Sequence, residues 1–570
     1  MDSNKITKYL KKEAKLGKWN ELFLDGQNPN NVTGFDFIRV SKVLPVNDVQ
    51  SGDLFYNKLS LFLSYIPGES KWYAWDGRIH VPCTDDTVIK SLVEIFYKEL
   101  DKSISIVESV VSDAAKSAQA ASGVDDDTTK AIKKNMELFK RPQFYRDRIG
   151  NSQGIDSLVK LLKTKLSKND NYFEEDQRWL VCKNCVFDLN IVRASGEEEY
   201  PLQVEGVLLT HSPERNVTRY LDIDFNPNLG YEDSLWMDFL RSSVENGDEE
   251  VIEHIQKVTG ASFMGEHGLR TMINLVGPPG SGKSIFTGTF FALGREGYSA
   301  SPDSSALVKV QGTNFAQDFF RRKRFIMISE PPLGEQIDDD FLKKFTGDSS
   351  VATRTLNDRG GNWTPQGTLF IASNDTLRIN SRDRAIVDRM QVIRFPYSFV
   401  DDPVGPNEKL INRNLENVFT TNEEEKSRIL NWVLVGMARF VQKKKSLKPP
   451  ESIQAERSKV MSNGTATLRW LNDSLDDRSI VDIIKTPVDF HVTDGSYLSV
   501  DECYRIFKLW CAENGERVTP KRFFTHDVER TYTMFKYGNT KLFRGLVKPN
   551  DKPERLLSDI ENNLAGQKSF

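Results

Sequence analysis

The chain has 570 residues and is nearly balanced in charge, with 77 lysines and arginines against 81 aspartates and glutamates. Single cores stop growing beyond about 250–300 residues, so three or four domains are expected, and a net charge of −4 excludes a protein that coats nucleic acid with its whole surface, leaving local patches for any such contact. Hydrophobic residues at 38% and charged residues at 28% give a soluble, globular profile: no stretch approaches the ~18 apolar residues of a membrane span, Met1 to Lys15 lacks the apolar stretch of a secretory signal, and five cysteines argue for an intracellular, cytoplasmic setting without a disulfide framework.

Residues 1–150 mix short apolar and aromatic runs, Leu54 to Leu63 and Trp72 to Trp75, with a helical stretch over 104–140 broken by the acidic loop Ser122 to Asp127. Residues 151–229 read as a connector. Apolar spacing predicts a helix over 155–168, and WLVCKNCVFDLN (179–190) predicts two short strands about a turn. The stretch 230–400 opens with a helical region, Trp236 to Phe263, followed by a short apolar strand, Met272 to Val276. A loop, Asp401 to Asn407, then leads into a helical linker over 401–454, punctuated by Pro449-Pro450. A C-terminal domain over 455–550 and a polar tail over 551–570 complete the chain, and no internal repeat is visible.

The strongest chemical signal is GPPGSGKS, Gly277 to Ser284, which satisfies G-x-x-x-x-G-K-[ST] between a predicted strand and a predicted helix. Glycines let the backbone fold tightly, so that successive N–H groups and the following helix N-terminus face phosphate oxygens. Gly277, Pro278, Pro279, Gly280, Ser281, Gly282, Lys283, Ser284 and Ile285 are therefore expected to cradle ATP, with Lys283 on the β- and γ-phosphates and the Ser284 hydroxyl on Mg²⁺. A second strand, RFIMISE (324–330), ends in Glu330, a candidate carboxylate to activate water and to hold Mg²⁺ directly or through water. A third, GTLFIASN (367–374), ends in Asn374, whose amide can hold the attacking water. Arg382, Arg384, Arg389 and Arg394 follow as candidates to neutralise a transferring phosphoryl group across a subunit boundary.

Two further regions carry clustered cations. Val351 to Leu356 alternates as a strand, NDRGGN (357–362) is a turn signal, and Thr368 onward is a strand again, which predicts a hairpin with Arg359 near its tip and Lys343, Lys344 and Arg354 lower down. Residues 517–548 carry eight cations, among them Lys521, Arg522, Lys536 and Lys541, against Asp527 and Glu529. A helix over Val500 to Asn514 followed by a basic hairpin turning at Gly538-Asn539 predicts a winged-helix-like module. Two weaker signals are set aside: Cys182-x-x-Cys185 is half a zinc site without a matching pair, and the LDID of Leu221 to Asp224 lacks the further acids and histidine of a primase centre.

The order GPPGSGKS, RFIMISE, GTLFIASN resembles superfamily 3 helicases, the viral and plasmid AAA+ motors, and most nearly the branch of poxvirus and phage primase-helicases. Segments 179–190, 220–230, 236–265 and 342–356 are similar to that branch in order and spacing, so the likeness covers about residues 170–400. It implies an α/β fold: an AAA+ P-loop motor over 230–400, a mixed α+β collar or loading region before it and a winged-helix-like module after it. It further implies Glu330 as the Walker B carboxylate, Asn374 as sensor 1, Arg389 as the arginine finger, and a channel-facing hairpin at Arg359. Position 329 is Ser where many relatives carry a second acid, which leaves Glu335 as a further candidate, and position 281 is Ser where the branch often has Asn. The implied activity is Mg-ATP-dependent unwinding of DNA by a homo-hexameric ring from a phage or mobile element. Its partners would be single-stranded and forked DNA and a primase or other replication proteins, with no membrane. Two alternatives stay open: a primase-helicase with a cryptic N-terminal primase, and an AAA+ loading or assembly ATPase that does not translocate.

Overall fold

A computed structural model of the chain describes residues 3–13, 44–120, 126–170, 172–173, 177–194, 206–310, 315–330, 337–347, 350–353, 361–377, 384–463, 465–476, 497–516, 518–530 and 532–544. The N-terminal part comprises α1 (Ser3–Glu13), α2 (Asp48–Leu59), an antiparallel meander of β1 (Leu63–Ile66), β2 (Lys71–Trp75) and β3 (His80–Cys83), then α3 (Thr87–Ala120), α4 (Asp126–Ile149) and α5 (Ser152–Lys165). Asn47 and Asn151 start α2 and α5 by accepting from the third following backbone N–H, which satisfies one orphan donor each. Val88, Leu92, Phe96, Leu100, Ile104 and Val107 recur at helical spacing along α3 and form one buried seam. Phe55 and Leu59 of α2 and Leu158 and Leu162 of α5 pack into that same core. The core therefore runs on through Leu166, past the boundary expected at residue 150.

The chain continues through the hairpin of β4 (Trp179–Val181) and β5 (Val186–Asp188), α6 (Leu189–Ala194), β6 (Leu208–Leu209), α7 (Leu235–Ser243) and α8 (Glu249–Phe263). A mixed α/β unit with a parallel sheet follows: β7 (Met272–Val276), α9 (Lys283–Tyr298), β8 (Ser299–Ala300), β9 (Phe325–Ser329), α10 (Asp339–Thr346), β10 (Val351–Thr353), β11 (Gly361–Trp363), β12 (Thr368–Ser373), α11 (Arg384–Val387) and β13 (Met390–Arg394). The five parallel strands lie in the order β13-β7-β12-β9-β8. MINLV and TLFIAS are buried at every position, as strands covered on both faces require. The predicted hairpin is revised in one respect. β10 pairs with β11, Val351 opposite Trp363, whereas Thr368–Ser373 belongs to the central sheet and not to the hairpin. Arg354 and Arg359 lie outside the described residues.

After β14 (Ser398–Val400) and β15 (Glu408–Leu410) come α12 (Leu415–Thr421) and α13 (Glu423–Gln442). These do not behave as a linker. Trp432, Leu434 and Met437 of α13 share one core with α8 and with Phe286 and Phe290 of α9. α8 and α13 approach so closely that a Cβ on Gly260 would lie 2.3 Å from the Met437 nitrogen, and one on Gly436 would lie 2.1 Å from the Gln256 carbonyl oxygen. The C-terminal part holds α14 (Glu451–Asn463), α15 (Ala466–Asp476), β16 (Tyr497–Ser499), α16 (Val500–Glu513), α17 (Lys521–Glu529), β17 (Met534–Tyr537) and β18 (Thr540–Arg544), with sheet order β16-β18-β17. Trp470, Phe507, Phe524 and Phe543 form its core. Gly538, at φ 58°, takes the first place of the two-residue turn between β17 and β18, a position that needs the left-handed region. Among the described residues no helix is long and apolar enough to cross a membrane.

The backbone contact between α8 and α13 yields a test. Gly260→Val adds three carbons where no space exists, and overpacking of this kind costs about 1–3 kcal/mol or more. We expect a clearly lower denaturation midpoint by circular dichroism, with Gly230→Val, where a Cβ meets nothing within 4 Å, as the unaffected control.

Candidate functional site

The glycine loop stands between β7 and α9, and its geometry depends on its glycines. A Cβ on Gly277 would lie 1.9 Å from the Phe395 carbonyl oxygen, and Gly280 and Gly282 have φ of 74° and 91°, in the region that side chains disfavour. Gly282 is the N-cap of α9 and gives the helix no side-chain acceptor, so the first-turn N–H groups remain available to an anion. Lys283 is 7% exposed. Its Nζ donates to the carbonyls of Gly277 at 2.6 Å and Pro278 at 2.9 Å and to Ser281 Oγ at 3.0 Å. Burial holds its pKa below the usual lysine range, since all three acceptors are neutral. Phosphate oxygens would offer this ammonium the charge it lacks. Ser284 is exposed beside it.

Glu330 and Asn374 end two adjacent parallel strands, and both line a cavity of about 390 Å³ together with Gly280, Lys283 and Ser284. Glu330 has φ 53°, and its backbone N–H donates to the Ala372 carbonyl at 2.9 Å. A left-handed conformation costs a non-glycine residue about 1–2 kcal/mol, and such strain concentrates where function demands a geometry. The exposed carboxylate of Glu330 and the exposed amide of Asn374 thus meet the loop at one end of the sheet. These groups fit a nucleoside triphosphate with a divalent cation: backbone donors and Lys283 for phosphate, and hydroxyl and carboxylate oxygens for a hard cation.

Asn274, in the middle of β7, was missed by the motif reading. It is fully buried, its Nδ2 donates to Ser373 Oγ at 2.8 Å and to the Ile371 carbonyl at 3.2 Å, and its Oδ1 accepts from the Leu377 N–H at 2.8 Å. One amide therefore ties the strand that leads into the glycine loop to both sides of Asn374. A lone polar residue inside an otherwise apolar strand is the available sequence signal. The apolar wall of the cavity, Phe239, Phe399, Ile411 and Leu415, was also missed, because it comes from segments that no spacing rule links to the loop. The Phe399 N–H donates to the Gly280 carbonyl at 3.1 Å, which fixes that wall to the loop.

Arg389 is not in this cavity. Its carbonyl accepts from the Met272 N–H at the opposite end of β7, four residues and roughly 13 Å from Val276. Its Nη1 donates to the Lys343 carbonyl at 2.5 Å and to Thr346 Oγ1 at 2.9 Å, closing the end of α10. Lys343 is half-buried and Lys344 exposed on that helix. Of the C-terminal cations, Lys521 pairs with Asp501 and Arg522 is exposed. Lys536 stands directly opposite Lys541, both exposed. Glu335 lies outside the described residues, as does Arg382.

The two signals set aside have structural explanations. Cys182 and Cys185 are buried at the β4–β5 turn, where the Cys182 N–H donates to the Cys185 carbonyl at 2.8 Å; the neighbouring Cys185 thiol and burial push the Cys182 thiol up. Burial acts to raise the Asp222 pKa, but Arg295, Lys426 and Lys183 outweigh it and hold the carboxyl below its ordinary range. Asp222 is an ion-pair centre joining three segments.

Residues 52–245 match the family described as D5 N terminal like, a stretch that ends ahead of β7. Over 105 residues, 18% of this chain, the sequence is 30% identical to V13 of Sputnik virophage, which is named a candidate helicase. The match spans only 13% of that relative's length. Among solved structures, the apo A form of the NrS-1 C-terminal region is 12% identical with a TM-score of 0.34, over 62% of this chain and 85% of that one. A second apo structure of that region, spanning its residues 305–718, gives 0.30 over 61% and 81% at 12% identity.

Asn274→Leu should strand the Leu377 N–H and the Ser373 hydroxyl, at about 1–3 kcal/mol for each unsatisfied group. If Asn274 positions the cavity wall, nucleotide affinity measured by calorimetry falls by more than the loss of stability alone accounts for, and Asn274→Asp, which keeps one acceptor, restores part of it.

Proposed function

We propose that the chain is an ATP-hydrolysing DNA helicase of superfamily 3 whose AAA+ motor works as a homo-hexameric ring. The observation that carries this reading is the convergence of Lys283, Ser284, Glu330 and Asn374 on one cavity at the ends of three adjacent parallel strands. The family match over residues 52–245 and the likeness to V13 support a helicase-type replication protein of a virus or mobile element. In this mechanism the backbone donors of the loop and Lys283 bind the β- and γ-phosphates. Lys283 exchanges its neutral loop acceptors for phosphate oxygens. Ser284 and Glu330 would hold Mg²⁺, which when bound neutralises phosphate charge. Asn374 orients the attacking water and Glu330 accepts its proton.

Arg389 lies at the far end of its own sheet, which supports an action on ATP held by a neighbouring subunit. Its bonds to Lys343 and Thr346 would then couple the finger to α10 and so to the β10–β11 hairpin that follows. DNA would be gripped there by Lys343, Lys344, Arg354 and Arg359, and at the C-terminal module by Lys521, Arg522, Lys536 and Lys541. The Lys536–Lys541 pair supports that role, since like charges opposite each other across a ladder are destabilising unless something anionic rewards them. The engaged state of Asp222 gives no support to a primase centre at LDID.

Lys283→Ala should lower ATP turnover by about 10³-fold, and Glu330→Gln should stop turnover while nucleotide still binds. Near-normal hydrolysis by the lysine variant would remove this cavity from the motor. Hydrolysis stimulated by single-stranded DNA together with strand separation distinguishes a helicase from an ATPase that only loads or assembles.

Mixing tests the trans arrangement. Lys283→Ala subunits keep Arg389, and Arg389→Ala subunits keep an intact phosphate site. Each alone should be inactive, with the arginine variant about 10³-fold down in turnover but not in binding. Mixed rings should regain part of the activity; none returns if Arg389 serves its own subunit or if the protein forms no rings.

A further inference from the structure

The cavity at the glycine loop has two chemically different ends. One carries the loop, Lys283, Ser284, Glu330 and Asn374. The other is walled by Phe239 of α7, Phe399 of β14, Ile411 just after β15 and Leu415, the first residue of α12. Phe239 is buried against the loop, since a Cβ on Gly282 would come 2.9 Å from its Cε2. Phe399, Ile411 and Leu415 are half-buried. Backbone pairing holds them in place: the Ile411 N–H donates to the Val400 carbonyl at 2.9 Å, and Phe399 is tied to Gly280 as described above. Among the described residues that line this second end, Asn412 alone has a polar side chain.

The orientation of that amide is set by its own turn. Asn412 Oδ1 accepts from the Asn414 backbone N–H at 3.1 Å, two residues on. A backbone donor needs an oxygen, so the bond decides which side of the carboxamide is which. Nδ2 is left on the other side, exposed and without a hydrogen bond to any described residue. The second end of the cavity thus offers an apolar wall and one donor, with no charge. A nucleotide has the same two-part character: a charged tail, and a planar base with apolar faces and a polar edge. With the tail on the loop, the wall is there to cover the base, and a single polar group among apolar ones is the usual means of fixing a ligand's orientation.

We propose that this end of the cavity holds the nucleobase and that Asn412 is its specificity-determining residue, which makes purine nucleoside triphosphates the substrate class. The proposal rests on the reading of the cavity as a nucleotide site. Asn412 Nδ2 donates to an acceptor on the base edge. The N7 acceptor is common to adenine and guanine and absent from the pyrimidines. A lone donor on N7 does not distinguish the amino group of adenine from the carbonyl of guanine. The larger face of a purine also covers more of the apolar wall. The site therefore separates purines from pyrimidines, and does not separate ATP from GTP.

Calorimetry on the full chain and on Asn412→Asp, with Mg²⁺ present, tests this with ligands that are not turned over: ADP, GDP, CDP, 2′-deoxy-ADP and pyrophosphate. The aspartate keeps an oxygen for the Asn414 N–H and turns the outward donor into an acceptor. Pyrophosphate occupies the phosphate end alone and feels any repulsion from the added charge, so each affinity is taken relative to it. ADP and GDP should bind alike, and both more tightly than CDP. The substitution should lower their affinity relative to pyrophosphate by about tenfold, the worth of one hydrogen bond, and 2′-deoxy-ADP should follow ADP. If ADP and pyrophosphate bind but the substitution leaves their ratio unchanged, the proposal is overturned and the nucleotide reading survives. A loss confined to ADP and absent from 2′-deoxy-ADP also overturns it, because the amide then meets the sugar hydroxyl. Binding of neither ADP nor pyrophosphate removes the nucleotide reading, and the proposal with it.

Discussion

The insertion of β12 between β7 and β9 is the constraint on which the rest of the α/β unit depends. β12 comes after both neighbours in the chain, yet pairs Ser373 with Val276 on one side and Ala372 with Ser329 on the other. In a parallel sheet all strands end on the same side, and a reversal in strand order opens a crevice there. The glycine loop, Glu330 and Asn374 are each the first residues beyond such a strand end, so pairing alone brings them together across nearly 100 residues of sequence. Asn274 then fixes the separation, because its amide bonds span the one interface between strands where the loop and Asn374 have to keep register.

A second fixed point is Arg324, fully buried at the entry to β9. Its Nη1 donates to the Phe263 carbonyl at 2.7 Å at the end of α8, its Nη2 donates to the Trp179 carbonyl at 3.1 Å in β4, and it lies 4.9 Å from the Tyr298 ring centroid. Its own carbonyl accepts from Ser262. Burying a guanidinium is costly unless hydrogen bonds offset the loss of water, and stranding one of these buried groups costs about 1–3 kcal/mol or more. Arg324 thereby joins the β4–β5 hairpin, α8 and the parallel sheet into a single body.

Much of the α/β unit was legible from local sequence. Strand, glycine loop and helix follow one another within a few residues, and apolar runs ending in Glu330 and Asn374 mark strand ends whatever their order in the sheet. The position of α13 was not legible in this way. Its apolar face is complementary to α8, but that match depends on Gly260 and Gly436 letting two backbones touch, and an isolated glycine in a helical pattern carries no label for its partner. The hairpin was misjudged for a related reason. Gly361 to Trp363 is a three-residue strand too short to show alternation, so in the sequence the next long apolar run, Thr368–Ser373, reads as its return. The apolar wall of the cavity fails the same way, since Phe239 and Leu415 meet only once the sheet exists.

The net charge of −4 conceals a marked division of labour. Asp222 draws Lys183, Lys426 and Arg295 inward, and Asp188 draws Arg178, so many acids neutralise cations that hold segments together. Other cations gather in the sequence and in space at Arg215 to Arg219, at Arg321 to Lys323 and along β17 and β18. Mutual repulsion in such clusters works against folding, and each cluster sets up a positive field of its own. That field is local. At physiological salt it decays over about 8 Å, which is why an almost neutral chain can still present strongly cationic grooves, and why the sign of the whole says little about what its parts attract.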